Sequence, residues 1–259
     1  MSKVRAKKHL GQHFLKDEAI AQDIAETLPV SDLYTDILEV GPGMGVMTKY
    51  LLEREDVKTY VSEIDTESVT YLQEHFPNLG DRIIVGDFLH LDLGAIFPGQ
   101  FCVTGNYPYN ISSQIFFKVL DFKEKIPFVS GMLQKEVAQR IAAPHGSKVY
   151  GILSVLIQAY YNVEYLFTVD PHVFDPPPKV MSGVIRLTRK DSLELGCDEK
   201  HFKRIVKQGF ATRRKTLRNC MKSIGLPEDV TQQDVFSKRA EQLSVQDFID
   251  LTNLISPYL

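Results

Sequence analysis

The 259-residue sequence has few cysteines and no long apolar run, and each shortage excludes a class of protein. Its three cysteines are scattered without C-x-x-C spacing, which argues against a disulfide framework or a zinc site and fits a reducing cytoplasm. The most apolar stretch, residues 150–167, is interrupted by polar side chains, so we expect a buried helix and strand there rather than a membrane span. No signal peptide, repeat or low-complexity tract is visible. We therefore expect a cytoplasmic globular protein without a membrane segment.

An excess of positive charge is also lacking, since 30 lysines and arginines stand against 33 acids. The charges are unevenly distributed, however. Residues 1–16 carry five basic residues from Lys3 onward and no acid, and residues 200–222 carry nine basic residues and no acid. Two acid-free clusters on an acidic body are typical of phosphate binding, although a single basic run is usually a solvated face. We predict nucleic-acid contacts at Lys7, Lys8, Arg213, Arg214, Lys215 and Arg218.

Glycine is concentrated at one turn, where Gly41, Gly43 and Gly45 alternate. An apolar run over 37–40 precedes the turn and predicts a buried parallel strand, and apolar residues at helical spacing over 46–52 predict a helix after it. A strand, a glycine turn and a helix in this order indicate a nucleotide-binding α/β fold. The G-x-G-x-G spacing is one residue shorter than the dinucleotide fingerprint. We assign Gly41 and Gly43 to a cofactor site, because a side chain there would keep the backbone from the ligand.

Acids end the next two predicted strands. Glu63 lies 18 residues after the last glycine of the turn, where a carboxylate can accept hydrogen bonds from both hydroxyls of a ribose. Asp65 is predicted to cap the following helix or to form the turn before it. Asp87 ends the third strand and can accept from an adenine amino group. Ile64 and Phe88, beside these acids, are assigned to the same cofactor site. The alternative for each acid is a solvated residue at a strand end.

A fourth predicted strand, residues 101–105, delivers the motif Asn106-Tyr107-Pro108-Tyr109 to the carboxyl edge of the sheet. Open α/β sheets bind their ligands at this edge. The motif resembles the Asn/Asp-Pro-Pro-Tyr signature of S-adenosylmethionine (SAM)-dependent methyltransferases that act on exocyclic amino nitrogens. A proline turn with two packed tyrosines is the structural alternative.

The chemistry of an adenine amino group explains why these residue types suit methyl transfer. The N6 lone pair is delocalised into the ring, and two acceptors aimed at its hydrogens would draw the nitrogen toward tetrahedral geometry. The side-chain oxygen of Asn106 and the backbone carbonyl of residue 107 can supply them. Pro108 stiffens the turn, and Tyr109 can stack on the base. We therefore predict catalytic roles for Asn106, Pro108 and Tyr109, with Asn106 also next to the cofactor.

Two further segments are predicted to reach this site. In the N-terminal arm, Leu15 would dock the segment on the protein, while Gln12 and His13 would face the cofactor. Spacing alone does not exclude that His13 is a surface histidine. In the second segment, three prolines at 176–178 force an extended loop, and Phe174 before them is predicted to stack opposite Tyr109. A rigid surface crossover is the alternative for this loop.

These motifs divide the chain into two predicted domains. Residues 1–190 read as an α/β cofactor-binding domain with a basic N-terminal arm, and residues 191–259 read as a small helical domain that carries the second basic cluster. No metal site is predicted, because His13 has no partner at ligand spacing.

Taken together, the motifs resemble the small-subunit ribosomal RNA adenine N6,N6-dimethyltransferases, the KsgA family. The resemblance covers nearly the whole chain and is carried by residues 12–15, 39–45, 63–65, 86–87, 106–112, 136–140, 174–180 and 213–219. It implies a class I SAM-dependent methyltransferase fold, Rossmann-like, with a seven-stranded sheet whose last strand is antiparallel, followed by a helical RNA-binding domain. It implies that SAM is cradled by His13, Leu15, Gly41, Glu63, Asp87 and Asn106. The implied substrate is a pair of adjacent adenosines near the 3′ end of 16S rRNA in a maturing 30S subunit. We expect the protein to act as a monomer.

The sequence departs from the family pattern at three positions. His13 stands where many members have Asn, Tyr107 where Leu or Ile is usual, and Met181 where Asp is frequent. Three alternatives remain open: the related Erm-type enzymes, which dimethylate 23S rRNA; a ribosome-assembly factor without catalysis; and an NAD-dependent dehydrogenase. The stretch 213–219 favours the small-subunit family over Erm. The intact Asn106 motif argues against lost catalysis, and neither G-x-G-x-x-G nor a hydride-transfer set is evident for a dehydrogenase.

Overall fold

The structure is a computed structural model that describes residues 4–259. Lys3, counted in the N-terminal basic cluster, lies outside the described residues. Within them, no helix combines the length and the apolar composition needed to cross a membrane.

Within residues 4–259, nine strands form two sheets. In chain order they are β1 (Phe14–Leu15), β2 (Asp36–Val40), β3 (Lys58–Glu63), β4 (Ile83–Val85), β5 (Phe101–Thr104), β6 (Phe128–Gln134), β7 (Tyr161–Val169), β8 (Phe174–Asp175) and β9 (Ser182–Arg189). The large sheet has seven strands in the order β4-β3-β2-β5-β6-β9-β7, and the small sheet pairs β1 with β8. The small sheet attaches the N-terminal arm to the segment before the triple-proline loop.

The seven-stranded sheet has the predicted mixed character. Strands β4, β3, β2, β5 and β6 pair in parallel, whereas β9, the last strand in the chain, pairs antiparallel with β6. All four residues of β5 are buried, including Cys102, as expected for a central parallel strand covered on both faces. The α/β class, the seven strands and the antiparallel last strand are confirmed.

Helices cover the sheet and form most of the C-terminal part. They are α1 (Glu18–Ala25), α2 (Thr48–Leu52), α3 (Thr66–His75), α4 (Leu93–Ile96), α5 (Ser112–Asp121), α6 (Lys135–Ala142), α7 (Ile152–Tyr160), α8 (Glu199–Gly209), α9 (Leu217–Cys220), α10 (Glu228–Thr231) and α11 (Val245–Ile255). Asp65 caps α3, because its side chain accepts a hydrogen bond from the Glu67 N–H, as predicted. The predicted helix and strand over 150–167 are α7 and β7.

The chain forms two compact units. One comprises the described residues up to 138 with 163–189, and the other comprises 139–162 with 190–259. The second unit thus takes in α7, which the sequence placed in the first of two domains divided at 190. α7 is buried at seven of its nine residues, and within the second unit it packs against α8 and α11. A helix that is apolar on all sides needs such partners.

Candidate active site

A cleft opens at the carboxyl edge of the parallel strands in the first unit. It encloses about 1010 Å³, including the part open to solvent. Every predicted cofactor residue lines this cleft: Gln12, His13, Leu15, Gly41, Gly43, Glu63, Ile64, Asp87, Phe88 and Asn106. Pro108 and Tyr109 line it too. The site predicted from separate motifs is therefore one cavity.

The glycine turn forms the floor of the cleft. Gly43 has a φ of 56°, and a Cβ atom there would lie 2.8 Å from Cε1 of Phe14. The turn is also tied to the neighbouring strand, since the Gly41 N–H donates to the Ser62 carbonyl at 2.9 Å. Any side chain at Gly43 would be both strained and in collision with the arm. The fold therefore requires a glycine at position 43.

Glu63 is held rigidly at the end of β3. Its Oε1 accepts from the N–H groups of Ile64 and Asp65, both at 2.9 Å, and its Oε2 accepts from the Gly43 N–H at 3.1 Å. Burial raises the pKa of this carboxyl, while the three backbone donors oppose the rise. A carboxylate oriented in this way keeps lone pairs for a ribose diol.

Asp65 belongs to the latch of the N-terminal arm, which we define as Lys7, Gln12 and Asp65. The Lys7 ammonium pairs with the fully buried Asp65 carboxylate, and Gln12 Nε2 donates to the same group at 3.2 Å. Gln12 Oε1 accepts from the Lys7 N–H at 2.8 Å. Burial alone would raise the pKa of Asp65, but these hydrogen bonds bring it below its usual range. The sequence predicts an RNA contact for Lys7, but in the structure its ammonium group is paired with Asp65. Lys8, in contrast, is exposed.

Asp87 and Phe88 line the part of the cleft where the sequence predicts an adenine. Asp87 accepts from the Leu89 N–H at 3.0 Å and pairs with Nδ1 of His90 at 2.7 Å. Lys118, which no motif indicated, donates to the carbonyls of Leu89 and Leu91 and lies 5.4 Å from the centroid of the Phe88 ring. Its contacts hold the turn that presents Asp87.

Asn106 is oriented by two neighbouring segments. Its Nδ2 donates to the His13 carbonyl at 3.0 Å, and its backbone forms a parallel bridge with Met132. Because a carbonyl can only accept, the amide oxygen of Asn106 must face the other way. The next residue is fixed as well: the Tyr107 N–H donates to the Met132 carbonyl at 2.8 Å, and its buried hydroxyl donates to the Ser130 carbonyl at 2.6 Å.

Tyr109 and His13 form one wall of the cleft. Their ring centroids are 5.3 Å apart with an interplanar angle of 34°. Nδ1 of His13 donates to the Pro176 carbonyl at 2.8 Å, which ties the triple-proline loop to the arm. The Tyr109 hydroxyl is hydrogen-bonded to the Ser182 hydroxyl.

Phe174 requires a correction. Its side chain is only 1% exposed and belongs to the hydrophobic core that includes Leu15 and helix α1. It pairs with Leu15 across the small sheet and does not line the cleft. In this structure its ring is not available to stack on a base, because β8 turns it into the core.

Sequence reasoning gave no role to Glu39, which also lines the cleft. It is 2% exposed, and its Oε2 accepts from the Thr48 hydroxyl at 2.6 Å. Burial raises the pKa of Glu39 to about 8, so the carboxyl is largely protonated at pH 7. The sequence feature that could have indicated Glu39 is its position as an acid inside the apolar run 37–40.

The second basic cluster contains two kinds of cation. The Arg213 guanidinium donates to the Lys148 and Tyr150 carbonyls at 2.6 and 3.2 Å, and Nε of Arg218 donates to the Thr231 carbonyl at 3.0 Å. Arg214 and Lys215 are exposed. Arg213 and Arg218 are exposed too, but their guanidinium groups are bonded to backbone carbonyls of the second unit, which stabilises its fold.

The cleft meets the requirements of SAM. Its glycine floor admits a close ligand, Glu63 provides acceptors for a ribose, and Asp87 with Phe88 provides an acceptor and an apolar face for an adenine. Among residues 4–259 no group of three or more His, Cys, Asp or Glu side chains is placed to hold a metal ion.

The sheet order, the antiparallel last strand and the cleft at the carboxyl edge define a class I methyltransferase. The family model for ribosomal RNA adenine dimethylase matches residues 3–256. A protein of Cytophaga hutchinsonii named ribosomal RNA small subunit methyltransferase A is 58% identical over 99% of both chains. A protein of the same name from Parabacteroides distasonis is 60% identical over 100% of this chain and 97% of the other.

Solved structures agree with this fold. A dimethyladenosine transferase from Plasmodium falciparum superposes with a TM-score of 0.79, at 25% identity, over 95% of this chain and 98% of the other. The 23S rRNA methyltransferase ErmE superposes with a TM-score of 0.67 at 23% identity, over 93% of this chain and 99% of the other. The chain belongs to the ribosomal RNA adenine dimethylase family.

Proposed function

We propose that this protein transfers methyl groups from SAM to N6 of two adjacent adenosines near the 3′ end of 16S rRNA in the small ribosomal subunit. The observation that carries the proposal is the orientation of Asn106. Its amide nitrogen is bonded to the His13 carbonyl, which leaves the amide oxygen free to accept from an adenine amino group in a cleft suited to SAM.

The residues that would hold the cofactor are already arranged. Glu63 would accept from the ribose hydroxyls, Asp87 from the adenine amino group, and Phe88 would cover the adenine ring. When bound, SAM supplies an electrophilic methyl group to the N6 lone pair, and the broken C–S bond leaves its electron pair on sulfur as S-adenosylhomocysteine.

The motif 106–109 would bind and activate the target adenine. The Asn106 side-chain oxygen and the Tyr107 carbonyl would accept the two N6 hydrogens, which localises the lone pair on nitrogen. Pro108 limits the freedom of the turn, and Tyr109 would stack on the base. After transfer the nitrogen loses a proton to water, and no strong general base is required.

We also propose how the RNA is held. Residues 191–259 would act as an RNA-binding domain. Arg214 and Lys215 would be phosphate contacts together with Lys8 of the arm, because all three are exposed, whereas the equally exposed Arg213 and Arg218 already donate to backbone carbonyls. The protein would act as a cytoplasmic monomer on the 30S subunit, with a role in subunit biogenesis.

The second candidate is methylation of 23S rRNA. The likeness to ErmE supports a common fold only. The small-subunit substrate is preferred because relatives about 60% identical over nearly the whole chain are named small subunit methyltransferases.

The test is transfer of labelled methyl from SAM to unmethylated 30S subunits, with 50S subunits and free 16S rRNA in parallel. We expect N6,N6-dimethyladenosine in the 30S subunits. Label confined to 23S rRNA would replace this proposal with the second candidate. Binding of SAM without any label would indicate an assembly factor on a methyltransferase fold.

A further inference from the structure

Ser182, which no motif of the cleft includes, is joined to the proposed stacking residue. The Ser182 hydroxyl is hydrogen-bonded to the hydroxyl of Tyr109, 73 residues earlier in the chain. Ser182 is completely buried, whereas Tyr109 is partly exposed and lines the cleft. The bond therefore anchors the hydroxyl end of the Tyr109 ring, which faces the cleft, to a buried residue.

Ser182 is itself held firmly. It is the first residue of β9 and lies opposite Gln134 in the antiparallel pairing with β6. Just before it, the Met181 carbonyl accepts from the Lys135 N–H at 2.9 Å. A side chain on such a paired strand end has little freedom to move, so it can serve as a fixed support.

Tyr109 is also constrained at its backbone and on one face of its ring. The Ser112 hydroxyl donates to the Tyr109 carbonyl at 3.3 Å, and the His13 ring lies 5.3 Å away. Rotation of the Tyr109 side chain about its first torsion would carry the hydroxyl away from Ser182. Rotation about the second torsion turns the ring plane but leaves the hydroxyl oxygen in place, so the bond fixes the long axis of the ring, while the neighbouring His13 ring limits its tilt.

We propose that Ser182 is a positioning residue for methyl transfer, which holds the long axis of the Tyr109 ring in the position from which the ring stacks on the target adenine. This inference rests on the proposed function, since it assumes that a base enters beside Tyr109. It also gives the triple-proline loop a role: the loop delivers Ser182 to Tyr109 and the Pro176 carbonyl to His13.

The test compares Ser182→Ala, Tyr109→Phe and the double variant. The first two each remove one hydroxyl of the same bond and leave the tyrosine ring in place. We expect each single variant to lower the single-turnover rate of methyl transfer about tenfold, because a neutral hydrogen bond contributes on that order. The double variant should be no slower than either single variant. The dissociation constant for SAM, measured by calorimetry, should stay within about twofold of the wild-type value.

A second readout does not depend on activity. An RNA oligonucleotide with 2-aminopurine at the target position should lose fluorescence when its base stacks on Tyr109, and Ser182→Ala should reduce this quenching. Ser154→Ala is the matched control, because Ser154 is a fully buried serine whose hydroxyl donates to the Arg140 carbonyl in the second unit. It should leave both readouts at the wild-type level.

Two results would overturn the proposal. Rate losses that multiply in the double variant would mean that Ser182 and Tyr109 act independently. Unchanged quenching and rate in Ser182→Ala would mean that the bond does not position the ring. Failure of the proposed function is distinct from both, since the wild-type protein would then transfer no methyl to 16S rRNA, while the quenching comparison could still be made.

Discussion

The turn 106–109 and the basic segment 200–222 are both conspicuous in the sequence, yet the structure uses their polar groups in opposite ways. In the turn, polar atoms are bonded to other segments: Asn106 to the His13 carbonyl, Tyr107 to the Met132 and Ser130 carbonyls, and Tyr109 to Ser182. In the basic segment, Arg214 and Lys215 point to solvent.

The difference follows from what each region has to do. Acceptors that stabilise a transition state must be oriented before the substrate arrives. The remaining hydrogen bonds of these residues therefore serve to hold the acceptors in place. Charges that attract a phosphate backbone act over several ångströms and need no fixed geometry. Arg213 and Arg218 show that a basic segment can contain both kinds of residue, because their guanidinium groups are bonded to backbone carbonyls.

The largest effect is expected for Asn106→Ala, which removes an oriented acceptor from the turn. Removing the aimed acceptor should lower the rate of methyl transfer by about 10²–10³-fold, which is typical of losing one preorganised group. Calorimetry should show SAM binding largely retained, and Asn106→Asp should keep part of the rate because it keeps an acceptor. Asn110→Ala is the control, since that exposed amide donates to the His9 carbonyl at 3.3 Å. Full activity in Asn106→Ala would refute the acceptor role.

The next largest effect is expected for Glu63→Ala. It removes the carboxylate that accepts from three backbone N–H groups and that we assign to the ribose. SAM affinity should fall about 10- to 100-fold, because hydrogen bonds to a charged group are stronger than neutral ones. Glu74→Ala, at an exposed acid of α3, should leave it unchanged. A loss of rate with unchanged SAM affinity would move the ribose contact to another residue.

A third test separates the two kinds of cation in the basic segment. Replacing Arg214 and Lys215 by Gln should weaken RNA binding about tenfold and reduce the slope of log K against log salt by about 1.5–2. Arg213→Gln should change the slope less and lower the melting temperature by about 2–4 °C, since it removes two bonds to backbone carbonyls. Equal slopes for both variants would show that Arg213 binds phosphate as the others do.

The smallest effects concern the arm. Lys7→Met should raise the dissociation constant for SAM about two- to fivefold, because it opens the latch at Asp65 beside the cleft. Lys8→Met should leave SAM binding unchanged and lower the salt dependence of RNA binding. If both variants affected only RNA binding, the latch would have no part in holding the cofactor.

Local patterns predicted most of the fold and the residues that line the cleft. Apolar strands, the glycine turn and strand-end acids each lie within a few residues, and the parallel sheet brings their ends to one edge. The role proposed for Asn106 rests on the chemistry of one short motif. The cap at Asp65 was also readable, because the cap and its donor are two residues apart.

What the sequence missed depends on contacts between distant residues. Lys7 was assigned to RNA because its partner, Asp65, lies 58 residues later. The bond between Tyr109 and Ser182 leaves no local pattern for the same reason. Phe174 was placed in the site because a two-residue strand does not reveal which side of it faces the core.

The most direct test of the account is a crystal structure of the protein with S-adenosylhomocysteine and an RNA oligonucleotide that contains the target adenosine. The account predicts that N6 lies about 2.7–3.2 Å from the side-chain oxygen of Asn106 and from the Tyr107 carbonyl, with the base stacked on Tyr109. An adenine bound elsewhere in the cleft, or N6 beyond hydrogen-bonding distance of Asn106, would contradict it.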